Sequence, residues 1–511
     1  MITIPQSRTF PRLHHQVLLL IALLFASAHA FAQTIVLEER IAFPTKSIPK
    51  GHIIQAVHTG KLDSTNVHIS LSTSFNRGQN DQSVESTKFY GRFNAAELSC
   101  DSIEQINNLI YKALGSKIYP AGMTVLPEQV AYIFTQYDDK KNTFSLYVVG
   151  ISKKERGSDI NVQKLFEAIV ANPDQISYRM TQSGGNLGLV FMQLEDKENH
   201  RATLQWQIYD GNLKPIYQRS EKLNFGGGSV GLLDFSLSPE LVCLTTIKHQ
   251  NSKTTQDAID YYVVSKERTS VYQGMAIALR KRDASGTWIR YYSDSACFEL
   301  GGLLAPSNKR IPEHAFHYRI PLQRVDLIRG GRFDLPAEWV RAWKNDMREF
   351  AFRYFRMPTT NFKFDPYKKG TLAVVYGFEG GYYNEPFQSD LLVLETTPSG
   401  VVGGARTERN LIVNKINSGF GYLKSTTLGN VLVSAGFTAP EPGSKTPVRS
   451  TGPRLVQVAP DANFKPYVLP EPSDNIGLYF YEGLEQIGGD RFILPYRTSK
   501  GLSIAVYRIK P

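Results

Sequence analysis

Gln205-Trp-Gln-Ile-Tyr-Asp-Gly-Asn-Leu-Lys-Pro-Ile-Tyr217 is the stretch that decides the fold. Trp206 and Ile208 alternate with polar residues, Asp210-Gly-Asn212 supplies a tight turn, and apolar residues resume at Pro215. A period of two broken by such a turn is the signature of a β-hairpin. The same unit recurs at Ile277–Tyr291, Leu391–Val402 and Leu455–Tyr467. The turn centres fall near Asp210, Asp283, Pro398 and Asp461, at intervals of 73, 115 and 63 residues. Short runs rich in Val, Ile, Tyr and Phe fill the spaces between them, among them Ala131–Thr135, Ser145–Val149, Gly188–Met192, Tyr261–Val264, Leu372–Tyr376 and Val431–Ser434. Such runs, bounded by Gly, Pro, Asn and Asp, read as strands.

Repeated hairpins of similar size predict an all-β chain, a β-propeller of six to eight blades with seven favoured. The ends agree with it. Leu502–Tyr507 supplies a strand at the C-terminus, and Thr34–Ala42 is placed to complete the same sheet, which would cover an otherwise open edge. The alternative is a multi-sheet β protein that is not a closed propeller. One segment carries a family resemblance. Asp283-Ala-Ser-Gly-Thr-Trp288 resembles the Asp-box hairpin of sialidase-type propellers, with Asp283, Thr287 and Trp288 at that family's spacing. Its glycine is displaced by one position, and Lys281 stands where the family carries Ser. The resemblance implies a structural turn and no activity.

Helices are few. Ser102–Leu114 has Ile103, Ile106, Ile110 and Leu114 on one face, a Ser102-x-x-Gln105 capping box and a terminating Gly115. Val162–Ala171 shows a helical spacing that stops near Pro173. A third helix is expected near 336–352, with Pro336 in its first turn and Val340, Trp343, Met347 and Phe350 along one side.

The first 32 residues read as a secretory signal peptide. Arg8 and Arg12 precede the apolar run Val17–Phe25, and small residues follow. Cleavage is expected after Ala30 or Ala32, leaving residues 33–511 as one β-propeller domain with helical insertions near 102–114 and 336–352. The apolar run is shorter than the roughly 20 residues of a spanning helix, and no later stretch is long and apolar enough to be one. A periplasmic or extracellular location follows as an expectation. The composition, 42% apolar and 11% aromatic in 511 residues, excludes a disordered chain. The net charge of +11 loses two with Arg8 and Arg12, and the rest is spread along the sequence. It reads as a solvated surface, and an exported chain is not expected to meet nucleic acid. Three cysteines are too few for a disulfide scaffold. Cys243, inside Leu241-Val-Cys-Leu244, reads as a small core residue, while Cys100 and Cys297 are left as an optional pair.

Chemical motifs are sparse. Gly226-Gly-Gly-Ser-Val-Gly231 matches a dinucleotide fingerprint literally, but a strand rather than a helix follows it. Read as G-x-S-x-G it offers Ser229 as a nucleophile, with His249, His314 and His317 downstream. No strand–helix alternation surrounds it, and a Gly-rich turn explains it as well. His314-x-x-His317 lacks a third metal ligand and is expected in a loop. No metal and no cofactor are expected. Carboxylates for glycoside chemistry converge from distant segments, so the sequence leaves them open. Trp339, Trp343, Tyr382 and Tyr383 are aromatic candidates for binding. The expected function is an exported, non-catalytic binding or scaffold module for a protein or glycan ligand. The alternatives are a carbohydrate-active hydrolase or lyase on a propeller, and a serine esterase using Ser229.

Overall fold

A computed structural model of the chain describes residues from Thr34 to Lys510. Outside the description lie 1–33, 45–47, 49–51, 76–86, 101–103, 153–159, 197–200, 226–228, 251–256, 307–311, 342–358, 381–385, 407–410, 413–419, 436–452, 458–464, 473–475 and a few single or paired positions. Among the described residues the chain forms eight antiparallel sheets of four or five strands. Seven of them take their strands consecutively. Their first strands are His52–Lys61, Ile118–Val125, Ile176–Ser183, Ser229–Leu237, Arg282–Tyr292, Thr359–Tyr367 and Phe420–Ser425, and they define sheets 1 to 7. The eighth combines Ile476–Tyr479 and Glu485–Gly488 with Arg491–Thr498, Gly501–Lys510 and, outermost, Thr34–Ala42. Head and tail therefore share a sheet, with Thr34 opposite Lys510 and Ala42 opposite Ser503.

The cores lie between sheets. Trp206 and Leu204 of sheet 3 pack with Phe235 and Tyr262 of sheet 4, and Leu146 and Phe166 of sheet 2 pack with Leu189 and Phe191 of sheet 3. Sheet 1 meets sheet 8 through Val67, Ile69, Ile493 and Ile504. Period-two alternation makes this possible, because each sheet offers an apolar face to both neighbours. Trp206 adds a polar stitch, its Nε1 donating to Thr245 Oγ1 at 2.8 Å. Followed through the described contacts, the sheets succeed one another as 7, 8, 1, 2, 3, 4, 5, 6. This is an open run rather than a closed ring, and it has eight units where seven were favoured.

Several expected elements differ in form. The hairpins at Gln205–Tyr217, Leu391–Val402 and Leu455–Tyr467 are present as the third and fourth strands of their sheets. Ile277–Tyr291 is not a hairpin. Arg280, at φ 48°, turns the chain out of sheet 4, and Arg282 begins sheet 5. Asp283–Trp288 accordingly lies inside one strand, where the register slips between Ser285 and Trp288, and is not an Asp-box turn. Val162–Ala171 is mostly strand, within Ile160–Ile169. A bulge between Lys164 and Phe166 buries both Leu165 and Phe166 and produces a spacing that imitates a helix. The first helix is shortened to Asn107–Leu114, because Glu104–Gln105 joins the ladder opposite Tyr90 and Phe89. Of the third, helical backbone is described at 337–338 and 340–341, with the Val340 amide bonded to the Pro336 carbonyl.

Candidate functional site at the inner edge of the sheets

The first strand of each sheet has one edge with no strand beyond it, so its backbone groups need other partners. First strands of adjacent sheets touch, and side chains from one supply the partners for the next. Gln182 of sheet 3 donates to the Val125 carbonyl of sheet 2 at 2.5 Å. Arg179 reaches the other way, donating from Nε to the Leu233 carbonyl (2.8 Å) and from Nη2 to the Leu232 carbonyl (3.1 Å) of sheet 4. Its Nη1 is held by the carbonyl of Tyr178 at 2.9 Å. Asp234 continues the line. Its Oδ2 accepts from the Ile289 amide of sheet 5 at 2.7 Å and its Oδ1 from the Phe235 amide at 2.8 Å. Asp234 stands at a bulge between Leu232 and Asp234, which re-aims its side chain.

The residue is partly accessible, but its carboxyl is enclosed. Burial raises the pKa from 3.8 to about 6, against the pull of the Phe235 and Ile289 amides and the charges of Arg179 and Arg290. A carboxyl that titrates near neutrality is a mark of functional sites, though ion networks also produce it. Glu485, between sheets 8 and 1, is likewise raised by burial, against the nearby Lys61 charge.

A second polar cluster lies between sheets 5 and 6. His317 is fully buried; its Nε2 lies 3.0 Å from Glu299 Oε2 and its Nδ1 3.0 Å from Thr396 Oγ1. Arg319 donates from Nε to Glu299 Oε1 at 2.8 Å. The Trp288 ring stands edge-on to His317, with centroids 5.2 Å apart, and covers Gly301. Burial opposes the charge of Glu299, but the hydrogen bonds and charges of His317 and Arg319 outweigh it and hold its pKa below the usual range. Between sheets 1 and 2, the Tyr132 hydroxyl lies 2.7 Å from His68 Nε2. Burial, and secondarily the charge of Arg92, lower His68 to about 3, so the ring is neutral.

The strand register places the motif residues. Ser229 is exposed at the start of a strand, opposite Gln250, while Val230 is opposite His249. Neighbours along a strand face opposite sides, so Ser229 points away from the His249–Asp260 pair, whose atoms are 3.2 Å apart. His314 and His317 sit on a strand, not in a loop, and face opposite sides. His314 bonds Asp334 at 2.7 Å. Among the described residues no group of three His, Cys, Asp or Glu is placed to hold a metal. Cys243 is buried, and Cys297 keeps a free thiol beside Ser295 Oγ (2.9 Å), so it does not pair with Cys100. Trp339, Trp343, Tyr382, Tyr383, Ala30 and Ala32 lie outside the described residues. Among the described residues no helix is long and apolar enough to cross a membrane.

Sequence reading passed over Asp234, Arg179 and Glu299. The available signal was a lone acid inside an apolar strand, as in Leu232-Leu-Asp-Phe235 and Cys297-Phe-Glu-Leu300.

No protein-family model matches the chain, and no curated protein matches it. Among solved structures it is similar to the Pyrococcus horikoshii acylaminoacyl peptidase, at 11% identity and a TM-score of 0.33 over 78% of this chain, and spans 60% of that protein's length. It is similar to the β-propeller domain of the Trilobed protease from Pyrococcus furiosus, at 9% identity and TM-score 0.33, over 73% of this chain and 100% of that one. A third is the Penicillium chrysogenum α-L-arabinanase, at 8% identity and TM-score 0.30, over 56% of this chain and 94% of that one. At such scores the likeness decides nothing about activity.

Proposed function

We propose that this chain is an exported, non-catalytic binding or scaffold module built on a propeller-like array, with a protein or glycan as its ligand. One observation carries the reading: side chains of the inner edge bond the backbone of the neighbouring sheet. Gln182, Arg179 and Asp234 each bond main-chain groups across a sheet boundary, which is scaffold work. Cell fractionation with N-terminal sequencing tests export, with Phe31 or Gln33 expected as the first residue. The purified chain is expected to leave chromogenic esters and glycosides intact. Ester turnover lost in Ser229→Ala would overturn the non-catalytic reading.

A second reading is a carbohydrate-active hydrolase, favoured by Asp234, whose pKa near 6 suits a general acid. Glycoside turnover abolished by Asp234→Asn would select it.

A further inference from the structure

We propose that the inner edge between sheets 3 and 4, centred on Arg179, binds a small organic carboxylate such as a uronic acid, more tightly in acid than at neutral pH. This rests on the binding-module reading and supplies its ligand class.

Arg179 is exposed, yet its guanidinium is fixed by three carbonyl oxygens. A guanidinium has five N–H groups. Three are used, so among the described residues one on each terminal nitrogen is left for an oxyanion. A cation already held rigid loses little freedom on binding, and arginine matches the two oxygens of a carboxylate. The strand it holds is uncrowded one residue away. Gly231 immediately precedes Leu232, whose carbonyl Arg179 holds, and a Cβ built there meets nothing within 4 Å.

The pH dependence comes from the neighbouring carboxyl. The elements packed on Asp234 present Arg179 from sheet 3, uncharged Thr246 opposite it in sheet 4, and Ile289 with Arg290 from sheet 5. Arg290 contributes its field. At neutral pH the ionised Asp234 offsets part of this positive charge and repels a second carboxylate. Its protonation, centred near pH 6, removes that repulsion while a uronic acid remains ionised.

The test is calorimetric titration of the mature full chain with galacturonate, and with galactose as the neutral control, at pH 5 and pH 7.5. Galacturonate is expected to bind at least about tenfold more tightly than galactose, and several-fold more tightly at pH 5. Arg179→Gln should lose about tenfold, and Arg179→Lys, which keeps the charge without the fork, should lose part of that. Asp234→Asn should raise binding at pH 7.5 to the acid level, a gain that misfolding cannot imitate. Equal binding of the two sugars, no binding at either pH, or unaltered pH dependence in Asp234→Asn would overturn the site while leaving the module reading standing. Consumption of galacturonate would overturn the module reading alone.

Discussion

Gly301 shows how closely a single position is constrained. A methyl group there would lie 2.6 Å from the Trp288 indole. Gly301→Ala should therefore cost about 1–3 kcal/mol by overpacking, read as a lower urea midpoint with an unchanged slope. Asp234 makes a different kind of statement. Its folded pKa of about 6 lies above the unfolded value near 3.8, so the folded chain holds this proton more tightly. Its contribution to stability is most favourable below pH 4 and declines as pH rises to about 6, beyond which it stays at its least favourable. Asp234→Asn should consequently compare better with the parent at pH 8 than at pH 4.5, as measured by denaturant titrations at the two values. The same stability difference at both pH values would contradict the raised pKa.

The strands teach which parts of the fold a sequence displays. Gln205–Tyr217 was legible because its alternation and its Asp-Gly-Asn turn agree with each other, and it forms the outer hairpin of sheet 3. Ile160–Ile169 was not, because a bulge at Leu165 shifts the phase of alternation and leaves apolar residues three and four apart. Asp283–Trp288 misled for a related reason: its residues suit a turn, but the chain had already turned at Arg280. The inner-edge site was illegible for a physical reason, since Arg179, Asp234 and Ile289 meet only when three sheets pack. The boundary between sheets 3 and 4 depends on Trp206, wholly buried and bonded to Thr245. Trp206→Ala should cost about 3–5 kcal/mol, with the loss seen in thermal unfolding. The outermost strand has a weaker clamp. Glu38 takes Arg491 Nε at 2.7 Å and Arg508 Nε at 2.5 Å, two arginines that face each other in register. Glu38→Ala should cost about 1 kcal/mol and speed amide exchange across 34–42 ahead of the other strands of that sheet.

At the scale of the whole molecule, strands from opposite ends of the described chain share one sheet. Thr34 and Lys510 are paired across adjacent strands, a spacing that accepts a disulfide. Thr34→Cys with Lys510→Cys should, when oxidised, gain about 3–5 kcal/mol by closing a very long loop, and lose it on adding reductant in calorimetry. The same pairing also sets a schedule. Thr34 leaves the ribosome long before Lys510, so the strand at 34–42 must wait for its partner at 501–510. Seven sheets can assemble while synthesis continues, but the eighth cannot be complete until the 501–510 strand has been made. A polypeptide released early would keep a dangling head with no seat. Completion of this sheet thus distinguishes a chain that has reached the 501–510 strand from any that stops before it, a check on length written into the architecture.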